Sequence, residues 1–200
     1  MIGVILAGGQ SSRFGSDKSH LLLPGRNITL LQHLLSVLSA LPCLSGTAIS
    51  CRSEQLPLLE NFVSSRFVLD HTHGENGKPT PLRGLISTIE TLDDATLVIP
   101  CDLPLMTTST LALLANARSQ RATPKTLRTA FVHDCGMMEP LVAIYEKEAL
   151  PHLLDALRKQ LLSLHDAIPP ERQILVPSGD RSPFFNLNTP ADLCALAGLS

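Results

Sequence analysis

The residues best suited to chemistry gather in one string near the start of the chain, Leu6-Ala7-Gly8-Gly9-Gln10-Ser11-Ser12-Arg13-Phe14-Gly15-Ser16-Asp17-Lys18. Glycines let a backbone approach an anion closely, and successive amide N–H groups form an anion-binding concavity. Ser11 and Ser12 add hydroxyl donors, Arg13 a planar fork and Lys18 a point charge. A polyphosphate needs these groups. The Walker A pattern closes on Gly-Lys-Ser/Thr, whereas Lys18 lies three residues beyond Gly15, and no GxGxxG fingerprint is present. The plainer alternative is a Gly/Ser turn with solvated charges. It accounts for a lone Gly pair better than for a whole string that follows an apolar run.

Further along, Pro100-Cys101-Asp102-Leu103-Pro104 ends an apolar run with a carboxylate between stiff prolines. Magnesium suits such a group, because it takes a few carboxylates together with water and phosphate oxygens. Asp102 could instead cap the next helix, but Thr107, Thr108 and Ser109 do that more directly. Asp70 ends another apolar run and is either a ligand contact or a turn residue. In Phe184-Phe185-Asn186-Leu187-Asn188-Thr189-Pro190-Ala191-Asp192, Thr189, Pro190 and Asp192 suit the N-cap, N1 and N3 positions of a helix. Alternation then puts Asn186 and Asn188 on one side, either for a polar ligand or as Asx turns. His71 and His73 lack a matched third ligand and read as a solvated pair, and Cys101 as a buried structural thiol.

These groups need a scaffold, and short β-branched runs alternating with helical periods describe a mostly parallel α/β sheet. Strands are expected at 2–6, 46–50, 66–69, 96–100, 128–133, 140–145 and 173–176, and helices at 29–41, 54–63, 82–92, 107–117 and 146–164. In the last of these, Leu153, Leu154, Leu157 and Leu161 form a core stripe. Ligands of open parallel sheets bind outside the carboxyl ends of the strands, so the loop, Asp70 and Asp102 should share one edge. The segment 71–80 is the longest irregular stretch, either functional or a plain insertion.

The chain has 200 residues, 44% of them hydrophobic, which suffices for a single domain spanning 1–200. A formal charge of -2 gives no basic field for nucleic acid or an anionic membrane. Five scattered cysteines without CxxC spacing argue against a disulfide framework or zinc site and fit a reducing cytoplasm. No apolar run approaches the ~20 residues that span a bilayer.

The first string closely resembles the signature of the molybdenum cofactor guanylyltransferases, nucleotidyltransferases of glycosyltransferase-A-like fold. Asp70, Pro81-Leu82-Arg83-Gly84, Pro100-Cys101-Asp102-Leu103-Pro104, Glu139-Pro140-Leu141-Val142-Ala143 and Phe185-Asn186-Leu187-Asn188-Thr189-Pro190 resemble that family's later blocks, in order and nearly end to end. The resemblance implies a three-layer, Rossmann-like fold and transfer of GMP from GTP to molybdopterin with Mg2+. It implies nucleotide contacts at Leu6, Ala7, Gly8, Gly9, Ser11, Ser12, Arg13, Lys18, Cys51, Asp70, Gly84 and Asp102. Arg13, Lys18 and Asp102 would be catalytic, Asp102 would hold the metal, and Asn186 and Asn188 would meet the pterin. Cofactor-delivering proteins and target apoenzymes are the implied transient partners. Phe14 stands where relatives usually have Met, and Cys51 where they often have Asn. A cytidylyltransferase typically reads Leu-Ala-Ala-Gly, so Gly8 is expected to leave room for a purine. The competing readings are a cytidylyltransferase for the same cofactor or another small-phosphate nucleotidyltransferase, and a non-catalytic nucleotide-binding regulator or carrier.

Overall fold

The computed structural model describes residues 1–8, 21–60, 63, 65–70, 80–161 and 163–197. The order is β1 (Ile2–Leu6), α1 (Leu30–Ser39), β2 (Gly46–Cys51), α2 (Leu56–Glu60), β3 (Arg66–Leu69), α3 (Pro81–Leu92), β4 (Thr96–Pro100) and α4 (Thr108–Arg121). There follow β5 (Arg128–Val132), β6 (Met138–Tyr145), α5 (Leu150–Arg158), β7 (Gln173–Pro177) and α6 (Pro190–Ala197). Local chemistry explains several boundaries. Thr29 and Gln32 form a reciprocal capping box on α1, Thr80 caps α3 ahead of Pro81, and Thr107 caps α4. Asp102 is therefore not needed as the cap of α4.

The strands form one seven-stranded sheet in the order β3-β2-β1-β4-β6-β5-β7. β1 pairs in parallel with β2 and β4, β2 with β3, and β5 with β7. β6 runs antiparallel to β4 and β5. Its first residues, rather than its last, therefore stand at the carboxyl edge of the other strands.

Side-chain alternation divides the core into two layers. Ile5, Ile49, Leu97 and Ile99 face α1 and α4 in one apolar cluster, while Val4, Ala48, Val68 and Val98 face α3 and α5 in the other. Together they make the expected three-layer α/β architecture. One helix is shorter than its leucine pattern predicts. After a 3-10 turn at Lys147–Ala149, α5 stops at Arg158, and Gln160 takes a left-handed φ of 57°. Leu161 thus falls outside the stripe and is 47% exposed.

Arg128 opens β5 and is completely buried. Its guanidinium donates to Gln173 Oε1 (2.6 and 3.1 Å), to the carbonyls of Leu164 (2.5 Å) and His165 (3.1 Å), and to the Tyr145 hydroxyl (3.4 Å). Burial pushes the Tyr145 phenol pKa up, so the hydroxyl keeps its proton and donates to the Pro140 carbonyl at 2.8 Å. This network ties the loop before β7 to the sheet at the edge opposite the strand ends that carry Asp70 and Asp102. A lysine cannot reproduce the fork, and hydrogen bonds to a buried charge are costly to lose. Arg128→Lys should lower unfolding free energy by about 3 kcal/mol, read from urea denaturation. A loss below about 0.5 kcal/mol would show that the fork is dispensable.

Candidate active site

A cleft opens at the carboxyl edge, lined by Leu6 and Gly8 after β1, Ser50 of β2 and Asp70 after β3. Thr80, Pro81 and Gly84 at the start of α3, Pro100, Cys101 and Asp102 at the end of β4, and Leu141 of β6 complete it. It holds roughly 660 Å³ of empty space including its open mouth.

Asp70 stands at the centre of one half. The Ser50 hydroxyl donates to its Oδ1 at 2.5 Å, and its own amide donates to the Cys51 carbonyl at 2.9 Å. The carboxylate lies against two glycines. A Cβ at Gly84 would sit 3.4 Å from both Asp70 Oδ1 and Ser50 Oγ, and a Cβ at Gly8 would fall 2.1 Å from Asp70 Oδ2. The second distance is an overlap, so a side chain at Gly8 would displace the Asp70 carboxylate from this position. Space beside Gly8 that was expected to admit a purine is occupied by Asp70. The Ala7 amide donates to the Ser50 carbonyl at 2.7 Å, and buried Gln55 donates to the Ala7 carbonyl at 3.1 Å. These contacts set the direction in which the chain leaves β1.

Asp102 occupies the other half. Its carbonyl accepts from the Leu187 amide at 2.8 Å, which brings the Asn186–Asn188 segment alongside the end of β4. Leu187 is fully buried while Asn186 and Asn188 are exposed, as alternation predicts. Asp192 accepts from the amides of Asn188 and Thr189 at 2.8 and 2.7 Å, so the cap of α6 forms without either asparagine side chain. The two asparagines border the cleft but are not among its lining residues.

Leu6, Gly8, Asp70, Gly84 and Asp102 are thus brought together. Three other expectations are corrected. Cys51 is fully buried in the cluster against α1, because it alternates with Ser50, which takes the cleft side. Ala7 is likewise buried in that cluster. Cys101, expected to be buried, is half-buried and lines the cleft. Gly9, Ser11, Ser12, Arg13 and Lys18, and His71 and His73 of the long segment, lie outside the described residues. Ser50 and the capped start of α3 were not anticipated. A hydroxyl in the run Gly46-Thr47-Ala48-Ile49-Ser50-Cys51 was the available signal for the former.

The described lining residues include two carboxylates and no lysine or arginine. Such a surface repels a polyphosphate unless positive charge is added. The N-terminus of α3 supplies part of it as an aligned dipole. A hard divalent cation fits Asp102 on donor chemistry: among the described residues no group of three or more His, Cys, Asp or Glu side chains forms a protein-only metal cage, and magnesium characteristically combines one or two carboxylates with water and phosphate oxygens.

A family model described as the MobA-like NTP transferase domain matches residues 3–173. The molybdenum cofactor guanylyltransferase of Photobacterium profundum is 32% identical over 199 residues, covering 95% of this chain and 92% of the relative. A probable molybdenum cofactor guanylyltransferase of Mycobacterium marinum is 29% identical, covering 98% and 92% respectively. The crystal structure of molybdopterin-guanine dinucleotide biosynthesis protein A from Archaeoglobus fulgidus shares the fold, with a TM-score of 0.75 at 22% identity over 100% of this chain and 98% of that one.

The overlap at Gly8 makes a stability prediction. Gly8→Ala should destabilise the protein by about 1–3 kcal/mol, as overpacking does. Asp70→Gly removes the colliding carboxylate, so the second substitution should cost less in the Gly8→Ala background than in wild type. A double-mutant cycle in urea checks this, and strict additivity would mean that the two residues do not compete for one space.

Proposed function

The chain belongs to the MobA-like NTP transferase family, and we propose that it transfers GMP from GTP to the terminal phosphate of molybdopterin, forming the guanine dinucleotide and pyrophosphate. The nearly full-length likeness to molybdenum cofactor guanylyltransferases carries this reading. The cleft that gathers Leu6, Gly8, Asp70, Gly84 and Asp102 at one sheet edge supports it.

The acceptor phosphate is already anionic at neutral pH, so its oxygen needs no general base to attack the α-phosphorus of GTP. The bond between the α-phosphorus and the bridging oxygen breaks, and its electron pair leaves on pyrophosphate. The obstacle is repulsion between the two phosphate chains, so catalysis consists of positioning and charge neutralisation. In this reading Lys18 and Arg13 engage the phosphates, and the amide-rich stretch from Gly8 to Ser12 cradles them. Asp70 and Gly84 shape the nucleotide end, while Asp102 would hold Mg2+. When bound, the ion neutralises charge that develops on the phosphate oxygens. Asn186 and Asn188, beside Asp102, belong to the acceptor side. All five cysteines are unbridged, which suits a cytoplasmic reaction, and no helix among the described residues is long and apolar enough to cross a membrane.

Pyrophosphate release, measured with each nucleoside triphosphate in the presence and absence of molybdopterin, tests the reading. Release should require both GTP and acceptor. CTP-dependent release of equal size would support a cytidylyltransferase, and no release with any nucleotide a binding protein. Lys18→Ala should reduce turnover at saturating GTP by about a hundredfold or more, with melting unchanged. Near wild-type turnover would remove Lys18 from the mechanism. Asp102→Asn preserves shape and removes charge, so it should abolish Mg2+-dependent transfer while the protein still melts cooperatively near the wild-type temperature. Parallel loss of folding and activity would make Asp102 structural instead.

A further inference from the structure

A second organised polar group stands at the same edge and has no part in the chemistry above. His133, just beyond β5, is buried and held at both ring nitrogens. Its Nδ1 lies 2.7 Å from Ser178 Oγ and its Nε2 2.7 Å from Glu139 Oε1. Ser178 follows β7, its amide donating to the Val132 carbonyl at 3.0 Å, and Glu139 is the second residue of β6. The Phe184 ring packs edge-on against the imidazole, with centroids 5.0 Å apart. The histidine is thus fixed on three sides. Only the Glu139 end is open, with 29% of that side chain exposed against 3% for His133.

The position of Glu139 relates this group to the acceptor side. Glu139 pairs with Phe131, next to the Ala130–Ala143 pair, so the register slips over 140–142, and Leu141 of that stretch lines the cleft. From the other direction, the Phe184 carbonyl accepts from Asn186 Nδ2 at 3.4 Å, and the Leu187 amide binds the Asp102 carbonyl. The asparagine segment therefore bridges the anchor of Glu139 and the end of β4. Asp70 lies at the far side, at the end of β3 and four strand positions from β6. At ~4.8 Å per strand that separation is about 19 Å, enough to keep the two ends of a dinucleotide apart.

A carboxylate held here is unsuited to the acceptor's phosphate, which it repels, and well suited to a ligand edge that presents hydrogen-bond donors. A pterin has such an edge, with ring N3–H and the 2-amino group side by side and spaced for the two oxygens of one carboxylate. On the reading that the acceptor is a pterin phosphate, we infer that Glu139 recognises its pterin ring by accepting hydrogen bonds from N3–H and the 2-amino group. His133 and Ser178 are positioning residues that hold the carboxylate, and Asn186 and Asn188 lie alongside. The imidazole Nε2–H donates to Glu139, and the Ser178 hydroxyl satisfies Nδ1.

The test uses the full chain and the near-isosteric Glu139→Gln, with Ser178→Ala as a second, milder variant. Glu139→Gln should raise KM for molybdopterin about tenfold or more while KM for GTP and the melting temperature stay near wild type. Ser178→Ala should move the acceptor KM in the same direction by a smaller factor. Calorimetric titration with pterin and with lumazine, which has a 2-oxo group in place of the 2-amino donor, reads the edge itself. Wild type should prefer pterin, and Glu139→Gln should lose or reverse that preference because its amide N–H can donate to the 2-oxo group. An unchanged acceptor KM, a rise confined to the GTP KM, or an unchanged pterin-to-lumazine ratio would each overturn the assignment. If wild type forms no product from GTP and molybdopterin, the guanylyltransferase reading fails by itself, and the pterin and lumazine titrations still decide the role of Glu139.

Discussion

The carboxyl edge of the sheet depends on one close approach, the Asp70 carboxylate lodged where Gly8 lacks a Cβ and beside Gly84. A partly buried carboxylate must have donors, and Ser50 provides one at 2.5 Å. Three strands and the first turn of α3 are thereby brought into register around a single side chain. Gln55 adds a clamp on the Ala7 carbonyl, so the chain leaves β1 in a fixed direction. Gly8 is favoured by packing against Asp70 as well as by the motif in which it lies.

This packing gives the cleft a division of labour. The β3 and β1 ends and α3 form one wall, where a carboxylate, a hydroxyl and a helix N-terminus meet. Asp102 lies in the middle of the sheet order, and the reversed strand β6 returns its own start to the rim. An antiparallel strand is what allows residues from a hairpin, rather than from another strand-to-helix turn, to reach the far side of the site. Transfer between two phosphorylated substrates is served by a site whose opposite sides can each hold one of them.

Much of this was legible in the chain. The strands from β1 to β4 and the capped helices follow periodicity and cap chemistry, and a parallel sheet by itself puts Asp70 and Asp102 on one edge. What escaped has physical causes. Cys51 and Ser50 are both at the end of β2, and only strand register decides which of them faces the cleft. Gly8 is adjacent to the carboxylate that explains it only after folding, since β3 lies far along the chain. His133 and Ser178 are 45 residues apart, so no local spacing announced that they meet. Gln160 ended α5 early by taking a left-handed conformation that a leucine stripe cannot foresee.

The proposed reaction joins a guanylyl group to a phosphorylated acceptor by attack at the α-phosphorus. Parallel reactions with GTP labelled at the α- or the γ-phosphate, run with molybdopterin and Mg2+ and separated by chromatography, test it most directly. The α-label should enter the guanine dinucleotide product, while γ-label should appear only in pyrophosphate. Transfer of γ-label to the acceptor, or release of α-labelled GMP without acceptor dependence, would contradict it.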